Sequence, residues 1–139
     1  MKTTRELEHR IRTCKDPAAL LRQDGGEVTL TGYLHELLEQ RGLTVGKVIQ
    51  CCNLDRSYGY QLFNGTRRPT RDTLLHLAIH LGLAETEVQR LLKLAGRPVL
   101  YARNRRDAAL LYSFSHRLTP AQTEELLAEL EVDALGSDL

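Results

Sequence analysis

Apolar side chains recur at three- and four-residue spacing along most of the chain, separated by polar and charged residues. That period belongs to amphipathic helices packed on one another. Leu34, Leu37 and Leu38 set one such face, Leu74, Leu77, Ala78 and Leu81 another, and Leu91 and Leu94 a third, with Val48 and Leu62 between them. These positions are the expected core. Alternation of the kind a half-buried strand shows occurs only around Glu27–Thr31, EVTLT. The pattern predicts an all-α fold of seven or eight helices joined by short turns.

Breaks and caps divide the chain. The stretch TTRELEHRIRTC places Leu7, Ile11 and Cys14 at helical spacing, and KDPAALLRQ starts again with Asp16 as N-cap and Pro17 at the first helical position. The clearest break is DGGE, Asp24–Glu27. Residues 1–26 therefore read as a helical arm, 27–96 as the main domain, and 97–139 as a helical extension that either packs on that domain or forms a dimer face.

Within the body one motif recurs: an apolar helix, a turn ending in leucine with Thr or Ala next, and another helix. It reads YLHELLEQRGLTVGKVIQCC, LLHLAIHLGLAETEVQRLLKLA and ALLYSFSHRLTPAQTEELLAEL. The last two align without a gap at a 35-residue offset, matching Arg71 with Arg106, Asp72 with Asp107, Leu75 with Leu110, Leu83 with Leu118, Leu91 with Leu126 and Leu92 with Leu127. We read this as repeated packing logic rather than a solenoid, which needs about three or more similar units. Thr44 fits an N-cap, and Thr119 with Pro120 forms a cap and first-turn pair.

Composition narrows the chemistry. With 139 residues, 42% of them hydrophobic, the chain can bury one core. The formal charge of +1 hides an asymmetry: all 19 Lys and Arg lie in residues 1–117 with 12 acids, and the remaining 22 residues hold 6 acids. A basic body with an acidic tail suits an anionic partner that the tail excludes or competes with. No apolar run approaches the roughly 18 residues of a membrane span, and MKTTRELEHRIR is charged throughout, unlike a secretory leader. A cytoplasmic protein without a membrane partner is expected. Cys14, Cys51 and Cys52 are odd in number and lack zinc-site spacing, so reduced thiols are expected. His76 and His80, at i and i+4, lack a third ligand, so neither metal nor cofactor is expected. Ser113, Ser115, His116 and Asp107 are hydrolase residue types without a nucleophile elbow or glycine-rich loop, and no enzymatic activity is expected.

Leu43 to Pro69 reads LTVGKVIQCCNLDRSYGYQLFNGTRRP: a capped helix, a break at Asn53, a second short helix, then NG and a basic loop closed by proline. This is helix-turn-helix spacing. Asn53 tolerates positive φ better than most residues, and Asp55 can cap the helix after it. With LT, NL, RS, NG, RRP and DTLLHLA in register, the stretch resembles the XRE family of lambda-repressor-like helix-turn-helix regulators over about residues 30–95. The resemblance implies a lambda-repressor-like helical bundle and double-stranded DNA as partner, bound as a homodimer. It also implies that residues 55–64 form a recognition helix with Arg56, Ser57 and Gln61 facing base edges. Arg and Gln suit bidentate contacts to guanine and adenine. Thr44, Tyr58, Tyr60, Thr66, Arg67, Arg68 and Arg71 are then the expected phosphate contacts.

The stretch also departs from the family pattern. Val45 and Gly46 stand where polar residues are usual, Ile49 where a small residue lets the helices approach, Gly59 where a buried aliphatic is usual, and Phe63 where a polar residue is usual. A long helical side chain leans over the preceding turn, so Phe63 is expected to fill the volume that Gly59 vacates. The runner-up function is a protein-interaction module that uses Tyr58, Tyr60 and Phe63. In GRPVLYARNRRD, Gly96–Asp107, the arginines Arg97, Arg103, Arg105 and Arg106 either add phosphate contacts or pair with the acidic tail.

Overall fold

Short polar side chains start the helices. Thr29, Thr44, Asp55, Thr70, Asn104 and Thr119 each accept a hydrogen bond from the backbone N–H three residues on, at 3.0–3.2 Å. Each cap satisfies one orphan donor and contributes about 1 kcal/mol. The helices they open are α1 (Leu30–Gln40), α2 (Val45–Cys51), α3 (Arg56–Asn64), α4 (Arg71–Leu81), α6 (Arg105–Ser115) and α7 (Pro120–Glu129), while α5 (Glu85–Leu94) begins at Ala84, whose N–H donates to Glu87 at 2.9 Å. The structure is a computed structural model that describes residues 28–136; the arm expected over residues 1–26 lies outside them. Among the described residues the fold is all-α, and Leu30 of the EVTLT stretch already belongs to α1.

The chain makes three helical hairpins, α1–α2, α4–α5 and α6–α7, the first of them held together through α3, which packs on both α1 and α2. All three hairpins turn in the same way. Gly42, Gly82 and Arg117 take left-handed φ of 64°, 66° and 53°, and the leucine that follows returns its N–H to the carbonyl five residues earlier: Leu43 to Leu38, Leu83 to Ala78, Leu118 to Ser113. This closure satisfies the last carbonyls of a helix and directs a leucine inward. Of the expected core positions, Leu34, Leu37, Leu38, Val48, Leu62, Leu74, Leu77, Ala78 and Leu91 are buried, and Leu81 and Leu94 are half-buried. Full burial of each leucine is worth about 1.5–3 kcal/mol.

The 35-residue offset extends well beyond the six identities. Gly82 and Arg117 correspond, as do the left-handed Gly96 and Glu131, and Glu87 and Gln122 accept the N-cap N–H of Ala84 and Thr119 alike, with Thr119 alone returning a side-chain bond that completes a capping box. The ion pairs correspond reciprocally. Arg71 forks onto Asp107 at 3.1 and 2.8 Å, and Arg106 forks onto Asp72 at 3.0 and 3.0 Å. Arg71 also donates to the carbonyls of Pro98 and Val99, and Arg106 to those of Asp133 and Ala134. Each acid receives one further N–H, Asp107 from Tyr101 and Asp72 from Gly136. Every partner in one half has its counterpart 35 residues away in the other.

Burial raises the pKa of Asp72 and Asp107, but the arginine hydrogen bonds, the backbone N–H and the arginine charges together outweigh it, and both fall below 3.8. A carboxylate with a depressed folded pKa contributes stability that is complete above its unfolded value and lost as pH falls through the folded one. Urea denaturation at a series of pH values is expected to show this contribution intact above about pH 4 and falling below it. A midpoint that does not move between pH 4 and the acid limit would contradict that.

One buried contact differs between the repeats. Where the α4–α5 hairpin holds Ala78 and Val88, the α6–α7 hairpin holds Ser113 and Thr123, which hydrogen-bond each other, while Thr123 also donates to the Thr119 carbonyl. Thr123→Val alone strands a buried Ser113 hydroxyl and is expected to cost about 1–3 kcal/mol. Adding Ser113→Ala recreates the apolar pair of the first unit and should recover most of that loss. Thermal melts of the single and double variants decide it.

Candidate nucleic-acid interface

Four residues, Cys52–Asp55, join α2 to α3. Asn53 supplies the left-handed turn at φ 55°, and Leu54 returns its N–H to Ile49 at 2.9 Å. Asp55 then caps α3 through Tyr58 N–H. Leu54, Tyr58, Gly59, Leu62 and Phe63 form the buried side of α3 and its approach. The helix ends at Gly65, where φ of 83° excludes most other residues. His35 of α1 reaches the Phe63 carbonyl at 2.9 Å and so ties that end to the core.

Gly59 makes room for Ile49, not for Phe63. A Cβ built on Gly59 would lie 2.5 Å from Ile49 Cγ1 and 2.8 Å from Cδ1. The expectation that Phe63 fills this space is corrected: the Phe63 ring is buried against the His35 edge, with the ring centroids 6.0 Å apart. Ile49 and Gly59, two separate departures from the resembled pattern, meet in one contact, with the large residue on α2 and the small one on α3.

The outward side of α3 leaves Arg56 and Ser57 exposed and Gln61 half-buried. Tyr60 is 44% exposed, and the Arg56 guanidinium lies 6.0 Å from its ring centroid. A groove of about 420 Å³ runs between α2 and α3, with Ile49 and Leu54 as its apolar residues and Gln50, Asn53, Arg56 and Tyr60 as its polar ones. Gly46 also lines the groove, and a Cβ there would stand 3.4 Å from the Tyr60 hydroxyl. Gln50 and Asn53 had not been singled out as site residues. Their spacing beside the apolar Val48 and Ile49 was the available signal.

The expected phosphate contacts divide into two groups. Thr44, Tyr60, Thr66 and Arg67 are exposed around α2, α3 and the loop after it. Thr66 N–H is held by Asn64 at 2.8 Å, and Arg67 N–H by the Gln61 carbonyl at 3.2 Å, so this loop is fastened to α3. Tyr58, Arg68 and Arg71 are engaged by partners within the chain, Arg68 while remaining exposed. Tyr58 is buried with the Arg67 guanidinium 4.9 Å from its ring centroid. Arg68 donates to the carbonyls of Ala95 and Gly96, and Arg71 belongs to the reciprocal ion pairs. Arg97 donates to the Pro69 carbonyl, Arg105 to that of Leu130, and Arg106 meets the tail through its backbone carbonyls.

His76 binds the Cys52 carbonyl at 2.9 Å and its ring lies tilted by 50° against that of His80, with centroids 4.4 Å apart. Among the described residues no cluster of three His, Cys, Asp or Glu could hold a metal ion, and no helix is long and apolar enough to cross a membrane. Burial, with the neighbouring Cys51, raises the Cys52 thiol to about 11, which leaves it protonated and inert at neutral pH. Cys51 is exposed. Comparison of the chain with protein-family models, curated proteins and solved structures finds no match.

Proposed function

We propose that the chain is a sequence-specific DNA-binding regulator of the lambda-repressor-like kind, with α2 and α3 as the helix-turn-helix and α3 as the helix that enters the major groove. The observation that carries this reading is the division of α3 into two faces. One anchors the helix to the core through Leu62, Phe63 and the Gly59–Ile49 contact, and the other offers Arg56, Ser57 and Gln61 outward. An exposed guanidinium and an amide on one firmly held helix are the donors that base edges in the major groove accept. Thr44, Tyr60, Thr66 and Arg67 flank that face and supply phosphate contacts, which position the protein without reading sequence. The alternative, a protein-interaction surface built on Tyr58, Tyr60 and Phe63, retains only Tyr60 at the surface.

Selection of the full chain against a random double-stranded library tests the proposal. A defined motif is expected, with affinity that falls steeply with salt. Arg56→Ala should weaken the preferred site by about 1–3 kcal/mol, roughly five- to 150-fold, and relax the preference at one base pair. Salt-sensitive binding that ignores Arg56 would overturn the assignment of α3 as the reading helix.

A further inference from the structure

We infer that Tyr60 is a positioning residue for Arg56: its ring seats the guanidinium, so that Tyr60 sets the discrimination at a base pair it does not itself touch. The inference rests on the DNA reading above and adds to it. The Tyr60 hydroxyl keeps its phosphate role, and the ring takes a second one. Tyr60 follows Arg56 by four residues, which puts both side chains on one strip of α3. A helical side chain leans over the turn before it, so Tyr60 leans toward Arg56. The Arg56 guanidinium lies 6.0 Å from the ring centroid, within the reach of cation–π attraction. Arg56 is exposed, and a long exposed side chain has many rotamers from which binding must select one. A ring that already favours one arrangement removes part of that cost before the base is met.

The ring is itself placed by the packing of α2 on α3. Tyr60 and Arg56 both line the groove between these helices, and the Tyr60 hydroxyl reaches across it to Gly46 of α2. A Cβ on Gly46 would already be in van der Waals contact with that hydroxyl at 3.4 Å. A larger side chain there would have to share the groove with the tyrosine. Gly46, a departure from the resembled pattern, thus leaves the end of the ring its place. The neighbouring tyrosine seats an arginine in the same way, with the Arg67 guanidinium 4.9 Å from the Tyr58 ring centroid. The two tyrosines of YGY each carry one arginine, and Tyr60 carries the one assigned to base recognition.

The test compares two variants of the full chain: Tyr60→Phe, which keeps the ring, and Tyr60→Leu, which keeps apolar bulk without a ring face. Each is titrated with the duplex the parent chain selects and with the same duplex changed at the base pair that Arg56→Ala relaxes. Tyr60→Phe is expected to weaken binding to both duplexes alike and to preserve the ratio of the two affinities. Tyr60→Leu should lower that ratio by roughly two- to five-fold, the size of an exposed cation–π contact. In a chain that already carries Arg56→Ala it should lower the ratio no further. An equal fall in both Tyr60 variants, a fall in neither, or a fall that persists without Arg56 overturns the inference. NMR relaxation of the Arg56 Nε–H in the DNA-free chain keeps this failure apart from a failure of the DNA reading. The side chain is expected to be more ordered in the parent and in Tyr60→Phe than in Tyr60→Leu, and equal mobility in all three overturns the positioning role. A parent chain whose Arg56 is ordered in this way but which selects no motif overturns the DNA reading instead.

Discussion

Arg71→Ala is expected to destabilise the protein by about 3–5 kcal/mol, whereas Arg106→Ala, which removes the same two-pronged contact from the other half, is expected to cost about 1 kcal/mol or less. The reason is burial rather than bonding. The Asp107 side chain keeps 7% of its exposure and Asp72 keeps 30%. Without Arg71, the Asp107 carboxylate remains in a nearly dry site, with the Tyr101 N–H donating to it and the Arg106 charge nearby. An uncompensated buried charge is far more costly than the pair itself is stabilising. Without Arg106, Asp72 rehydrates and keeps the Gly136 N–H. Urea denaturation of both variants measures the difference, and equal losses would show that the two halves are energetically equivalent and that burial does not govern the pair. A consequence follows for DNA-binding measurements. Arg71 carries fold stability, so weak binding by Arg71→Ala is expected to track the unfolded fraction and not a lost phosphate contact.

Most of the helical frame was legible because it is local. Thr44, Asp55, Thr119 and the left-handed Asn53 act within three or four residues of themselves, and each does in the structure what its residue type and neighbours imply. The repeat was also visible as six identities, yet its meaning was not. Sequence alignment shows that Arg71 resembles Arg106, but it does not show that each seeks the acid of the other unit. That cross-pairing is a property of how two hairpins face each other. For the same reason the sequence leaves the arginines of residues 96–107 open to phosphate or to the acidic tail, whereas Arg97 and Arg105 go to the backbone carbonyls of Pro69 and Leu130, and Arg106 divides between the Asp72 carboxylate and the tail carbonyls of Asp133 and Ala134. Exposure on α3 followed the helical period, which placed Arg56 and Ser57 outward, but failed at Tyr58, whose ring turns inward beneath Arg67.

Gly59→Ile is expected to destabilise by about 1–3 kcal/mol, and the loss should be largely reversed when Ile49 is shortened to alanine in the same chain. The added Cβ alone would stand 2.5 Å from Ile49 Cγ1 and 3.5 Å from Cγ2. Those atoms branch directly from the Ile49 Cβ, and a β-branched side chain in a helix has one strongly preferred χ1, so the obstacle cannot swing aside as a long flexible chain would. Replacing glycine within a helix regains at most about 1 kcal/mol of propensity, too little to offset overpacking at this site. Ile49→Ala alone should cost about 2–5 kcal/mol, because it leaves a cavity with nothing on Gly59 to fill it. Combined, the two substitutions move the bulk from α2 to α3 and restore the contact in mirrored form. A double-mutant cycle therefore should show strong favourable coupling, and simple addition of the two losses would mean that Ile49 and Gly59 do not share one packing site. The same cycle speaks to function. The outward face of α3 can return to its original position only if the spacing between α2 and α3 is restored, so the paired variant should select the same DNA motif as the parent chain while Gly59→Ile alone selects it weakly.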